Sequence, residues 1–212
     1  MRLNNIIFIL LITALNPAQA GNIVDDTLQS LQLDDASCVL EGLQRGMDVN
    51  FVNEDGYSLL MLAAKEGSPQ VTAVLLNAGA KTYLSNAYAD NALLLATFGG
   101  YEAIVDMLLA RHASLEANAR GWTPLHYAAY AGQLSIAKKF LAWGTKVNAV
   151  TDNGLSALML ASMKGHMDVV RALLMYKADT QMRDGNNLSA ADHALVAGNT
   201  YIAALLQSSP SK

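Results

Sequence analysis

The chain has 212 residues, 52% hydrophobic and 15% charged, with 14 basic and 18 acidic side chains and a formal net charge of −4. That apolar share excludes a disordered polyelectrolyte, and the acidic balance gives no electrostatic footing for nucleic acid or an anionic membrane surface. Cys38 is the only cysteine, so no intramolecular disulfide is possible and packing must hold the fold.

Arg2 supplies a short positive region, residues 6–15 form an apolar run, and Ala18-Gln19-Ala20 is a small-x-small site. This is the layout of a secretory signal peptide, residues 1–20, with cleavage expected after Ala20. The run falls well short of the ~20 residues that span a bilayer. No cysteine follows the site, so a lipoprotein is not indicated. Loss of Arg2 leaves 13 basic against 18 acidic residues in the mature chain. The expected location is the bacterial periplasm or the medium outside the cell, in keeping with a short signal and no disulfide. Asn187-Leu188-Ser189 matches an N-glycosylation acceptor and keeps a eukaryotic secretory route open.

Residues 21–33 and 34–45 read as two short helices, carrying Leu28, Leu31 and Leu33, then Val39, Leu40 and Leu43. Cys38 lies beside Val39 and is expected to be a small buried hydrophobe. Beyond residue 53 the chain repeats. Gly67, Gly100, Gly132, Gly165 and Gly198 recur in steps of 33, 32, 33 and 33 residues. Each is preceded by a short apolar stretch opened by Ser58, Asn91, Thr123, Ser156 or Ser189, side chains that cap a helix N-terminus. Each is followed by an apolar doublet: Leu75-Leu76, Leu108-Leu109, Phe140-Leu141, Leu173-Leu174 and Leu205-Leu206. The five units run over about 54–86, 87–118, 119–151, 152–184 and 185–207. Each predicts a narrow first helix lined by alanines such as Ala63-Ala64 and Ala128-Ala129, a left-handed turn, and a second helix with large residues at i, i+3, i+4 spacing. No such unit buries its own apolar face, so the units must stack.

The stretch Gly121-Trp122-Thr123-Pro124-Leu125-His126-Tyr127-Ala128-Ala129 resembles the G-x-T-P-L-H-x-A-A signature of an ankyrin repeat. The resemblance covers about residues 25–207. It implies an all-α solenoid of stacked helix-turn-helix units with short β-hairpin fingers. Residues 21–53 would be a degenerate N-terminal capping repeat, 54–207 five repeats, and 208–212 a flexible tail. Departures are visible: Ala89-Asp90-Asn91 lacks the usual glycine, His112 stands where a helix-two stop glycine is usual, and Asp192 replaces the motif histidine. Tyr127 aligns with Leu62, Leu95 and Leu160 and is expected in the core.

Catalytic motifs are absent: no H-E-x-x-H, no G-x-S-x-G, no phosphate-binding G-x-x-x-x-G-K-[ST] and no G-x-G-x-x-G. Gly79-Ala80-Lys81-Thr82 resembles a phosphate loop only superficially, since it lacks the adjacent Gly-Lys. His126 and His166 occupy family positions, where the imidazole ties neighbouring loops, and His112 and His193 have no partner at ligand spacing. Asp55, Asp152 and Asp184, near finger tips, are expected to fix turns by accepting backbone hydrogen bonds rather than to bind a metal. No cofactor, metal or catalytic residue is expected.

What remains is a surface. In the ankyrin family partners are gripped by finger tips and by the exposed residues of first helices, which line a concave face. Carried over position by position, the resemblance implies partner-binding roles for Tyr57, Lys65, Glu66, Tyr88, Asp90, Phe98, Arg120, Trp122, Tyr130, Leu155, Met163 and Lys164, beside Glu54, Asp55, Asp152 and Asn153. Tyr, Trp and Arg most often carry binding energy at interfaces, and Phe98, Arg120, Trp122 and Tyr130 are the densest group. Packing is the competing role: Tyr57 and Trp122 over a neighbouring finger, Phe98 folded inward beside Gly99-Gly100. The expectation is a monomeric, exported, non-catalytic module that binds a protein partner. Two alternatives share the groove: an inhibitor or immunity protein against a toxin or hydrolase, and an accessory factor of an envelope enzyme such as a catalase or peroxidase. The last rests only on resemblance to other small bacterial ankyrin proteins.

Overall fold

The computed structural model describes residues 29–208. The expected signal segment, the first residues of the expected cap and the tail after Ser208 lie outside the described residues. Residues 29–33 are helical, and eleven further helices follow among the described residues. Helix α1 (Ala36–Gln44) is followed by five pairs: α2 (Leu59–Glu66) with α3 (Pro69–Asn77), α4 (Ala92–Gly99) with α5 (Glu102–Ala110), α6 (Pro124–Ala131) with α7 (Leu134–Ala142), α8 (Ala157–Lys164) with α9 (Met167–Met175), and α10 (Ala190–Val196) with α11 (Thr200–Ser208).

The first helices start where the sequence supplies an oxygen. Ser58, Asn91, Thr123, Ser156 and Ser189 each accept the backbone N–H three residues on, at 3.0–3.3 Å. In α10 the cap is reciprocal, because the carboxylate of Asp192 accepts the backbone N–H of Ser189 at 2.9 Å. Asp192 therefore does the capping work of the histidine it replaces. The helices stop at glycines in the left-handed region: Gly67, Gly100, Gly132 and Gly165 have φ of 74°, 78°, 74° and 80°. Onto each of them reaches the residue that follows the corresponding glycine of the next repeat. The ring of Tyr101 lies on Gly67, the amide of Gln133 on Gly100, the imidazole of His166 on Gly132 and the amide of Asn199 on Gly165. Tyr101 also explains the Gly99-Gly100 pair, since its ring covers the position a Cβ of Gly99 would take.

Two rows of helices result. First helices α2, α4, α6, α8 and α10 pack in succession, and second helices α1, α3, α5, α7 and α9 pack in succession beside them. The core is continuous: Ala63, Ala96, Ala128, Ala161 and Ala194 are fully buried between first helices, and Leu75, Leu108, Phe140, Leu173 and Leu206 are buried beneath the second row. Between pairs the chain makes hairpin fingers reduced to single antiparallel bridges, Val52 to Ser58, Ser85 to Asn91 and Val150 to Ser156. Cys38 differs from expectation. It is only partly buried, because Val39 rather than Cys38 points into the stack from α1.

Candidate functional site

Finger turns and the last turns of first helices present the expected surface residues. Each finger is set by the residue that opens it. The Asn86 side chain accepts the N–H groups of Tyr88 and Asp90, the Asn118 side chain those of Arg120 and Trp122, and the Asp184 carboxylate those of Asn186 and Leu188, at 2.9–3.0 Å. Asn53 and Thr151 do the same for Tyr57 and Leu155. Asp184 thus fulfils its expected role. Asp55 and Asp152 sit further along their turns, exposed, and the bonds expected of them come from Asn53 and Thr151 instead.

Five of the expected residues converge. Phe98, 51% exposed, stacks on Tyr130 from the equivalent position of the next repeat, with centroids 6.2 Å apart and planes at 27°. Half-buried Trp122 meets Tyr130 edge-on at 6.0 Å and Tyr127 at 5.2 Å. Lys164 places its ammonium 4.3 Å from the Tyr130 centroid. Asp90 accepts the hydroxyl of Tyr127 across the repeat boundary. Tyr127 is therefore a correction: it is half-buried rather than core, as are Leu62 and Leu95 at the same helix position, and its hydroxyl and ring link Asp90 to Trp122. Burial, then the hydrogen bond and charge of Asp90, hold its phenol well above the usual range.

The others lie apart. Lys65 sits 5.3 Å from the ring of Tyr57 and forms a separate pair, with Glu66 exposed next to it. Tyr88 is 60% exposed at its finger tip, Arg120 is exposed, and Leu155 and Met163 are half-buried. Leu155 and Met163 line a cleft with Asp184 and His193. There His193 Nε2 lies 3.0 Å from Asp184 Oδ2, a carboxylate partner that the linear spacing of nine residues does not reveal. Burial alone would raise the Asp184 pKa, yet the N–H groups of Leu188 and Asn186 and then His193 hold it below the usual carboxylate range. Among the described residues no group of three or more His, Cys, Asp or Glu side chains is placed to hold a metal ion. Val196 belongs to the surface but is not among the expected residues. It occupies the α10 position equivalent to Lys65, Phe98, Tyr130 and Met163 and is 80% exposed. One further step of 33 residues from Met163 identifies it.

His126 supports this face from beneath. Its Nδ1 accepts the N–H of Thr123 at 3.0 Å and its Nε2 lies 3.0 Å from the carbonyl oxygen of Ala149 on the next finger. Burial lowers its pKa to about 4, against the raising effect of the Ala149 and Leu155 backbone, so the neutral Nε2–H ring joins the two fingers.

A family described as "Ankyrin repeats (3 copies)" matches residues 29–119, 60–151 and 125–212. The chain belongs to the ankyrin-repeat family. Proteins similar to this chain include the transient receptor potential cation channel subfamily A member 1 homolog of Caenorhabditis elegans, 35% identical over 122 residues, 58% of this chain and 10% of that protein. The SH3 and multiple ankyrin repeat domains protein 2 of Homo sapiens is 26% identical over 175 residues, 81% of this chain and 10% of the relative. A putative ankyrin repeat protein of Fowlpox virus is 31% identical over 163 residues, 71% of this chain and 48% of the viral protein. The chain thus matches between a tenth and a half of the length of these relatives. Among the described residues no helix is long and apolar enough to cross a membrane.

Proposed function

We propose that this ankyrin protein works as a non-catalytic interaction module and that a protein partner is held in its concave groove, over Phe98, Tyr130 and Trp122. The observation that carries the reading is the aromatic ladder itself. Two adjacent repeats bring three rings together around Tyr130, with Phe98 half-exposed and a cation over the central ring. A monomer gains little from holding such a surface toward water, whereas aromatic side chains held rigid by helices bind with little ordering cost. Tyr57, Lys65, Glu66, Tyr88, Leu155, Met163 and Val196 extend the same face along the stack and form its periphery.

Export is part of the proposal and rests on Arg2, the apolar run over 6–15 and Ala18-Gln19-Ala20. The partner is then a protein of the bacterial envelope or its surroundings. The test is capture from an envelope extract by a chain beginning at Gly21, run beside a Trp122→Ala/Tyr130→Ala double variant of matched circular dichroism and melting temperature. A partner held by the native chain and lost by the folded double variant supports the groove. A partner held equally by both moves the site to another face.

A further inference from the structure

The rim of the aromatic ladder is cationic and unanswered. Lys164 lies over Tyr130, and Arg120 stands two residues before Trp122, near enough for its charge to act on the Tyr127 hydroxyl. Neither forms an ion pair among the described residues, and of the cations that form none these two are the ones beside the Trp122 and Tyr130 rings. The acid inside the cluster, Asp90, is already engaged by Tyr127. Asp152, on the next finger, packs against the backbone of Gly121. A chain with a formal net charge of −4 thus sets two cations beside its aromatic cluster.

Building on the groove reading proposed above, we infer that the segment held there is an acid-flanked apolar peptide. An aliphatic or aromatic side chain packs into the Phe98, Tyr130 and Trp122 box, and Asp or Glu carboxylates of the same segment pair with Lys164 and Arg120. The apolar contact supplies area, and the two charges supply register and partner choice. A carboxylate at the edge of a partly desolvated aromatic box forms charge-assisted hydrogen bonds stronger than neutral ones. A basic segment at the same place meets like charge.

The experiment uses fluorescein-labelled synthetic peptides with one common Pro-Leu-Pro-Phe-Pro centre, flanked on both sides by Glu, by Gln or by Lys. Binding to the chain beginning at Gly21 is followed by anisotropy. The Glu-flanked peptide is expected to bind about tenfold more tightly than the Gln-flanked one, with the Lys-flanked one weakest, and its advantage should shrink as salt is added. Lys164→Gln and Arg120→Gln should each weaken the Glu-flanked peptide by about threefold to tenfold and so remove most of its advantage over the Gln-flanked peptide. Equal binding of the Glu and Gln peptides, preference for Lys, or no binding by any of the three overturns the inference. If the partner from the capture experiment still depends on Trp122 and Tyr130 in those cases, the groove stands and only the acidic occupant falls. If peptide and partner both bind the double alanine variant undiminished, the groove itself is wrong.

Discussion

His166 places its Nε2 3.1 Å from the carbonyl oxygen of Tyr130 while its ring lies against Gly132, one repeat back. Gly132 is left-handed, with φ +74°, and a Cβ built there would stand 2.6 Å from His166 Nδ1. Two independent penalties thus meet at one residue, backbone strain and displacement of a stapling side chain. Gly132→Val is expected to lower stability by roughly 3 kcal/mol in urea denaturation, with Gly132→Ala milder. The penalty of Gly132→Ala should shrink in a His166→Ala background, where only the strain survives. An unmoved urea midpoint for Gly132→Val would mean that the chain does not turn there.

Tyr127→Phe removes the hydroxyl that Asp90 accepts and leaves a half-buried carboxylate short of a donor. The expected loss is about 1 kcal/mol. Since the Tyr127 phenol is held above the usual range, ultraviolet titration of the native chain should show a late-ionising tyrosine that the Phe variant lacks. Finding the same latest phenol in both would dissociate Tyr127 from Asp90.

For His126 the sign follows from the lowered pKa. The fold prefers the neutral ring, so its contribution is complete above the ordinary value of 6.5 and is lost as pH falls toward about 4, while the unfolded chain takes up the proton first. The loss attributable to this residue approaches about 3 kcal/mol at the acid end. Native protein should therefore be more stable than His126→Gln at pH 7, and the gap should narrow on acidification. A constant gap between pH 7 and 4.5 would contradict the assignment.

His112 and Lys177 stop second helices in left-handed conformations, with φ of 57° and 63°, where Gly79 and Gly144 serve the other repeats. A Cβ at Gly79 or Gly144 would meet nothing within 4 Å, so the cost at these stops is the backbone conformation alone. His112→Gly and Lys177→Gly should each raise stability by about 1 kcal/mol, read as a higher melting temperature, with partner capture unchanged. A lower melting temperature in either variant would show that the side chain supports its repeat.

The periodic part of this molecule was legible because its cause is local. A helix cap, a narrow alanine and a left-handed glycine act over a few residues, so Ser58, Ala63 and Gly67 announce themselves in order, as do their counterparts further on. What escaped depends on neighbours one finger or one repeat away. The register assigns Tyr127 to a leucine position, but its partner Asp90 lies 37 residues earlier. His193 and Asp184 meet through the fold of a finger. Asp55 and Asp152 carry the right chemistry one or two places from the position that closes the turn, a shift that only the backbone path exposes.

The staples from one repeat to the next have a consequence in time as well as in shape. Ser68 to Leu31, Lys139 to Asp106, His166 to Tyr130 and Asn199 to Ser162 join residues 37, 33, 36 and 37 positions apart. No such tie requires one end of the chain to find the other. Assembly can therefore begin at any strong neighbouring pair, such as the units carrying Phe98 and Tyr130, and spread outward one unit at a time. Pulling on the ends should retrace that order, shedding the outermost units first and leaving the aromatic centre until last.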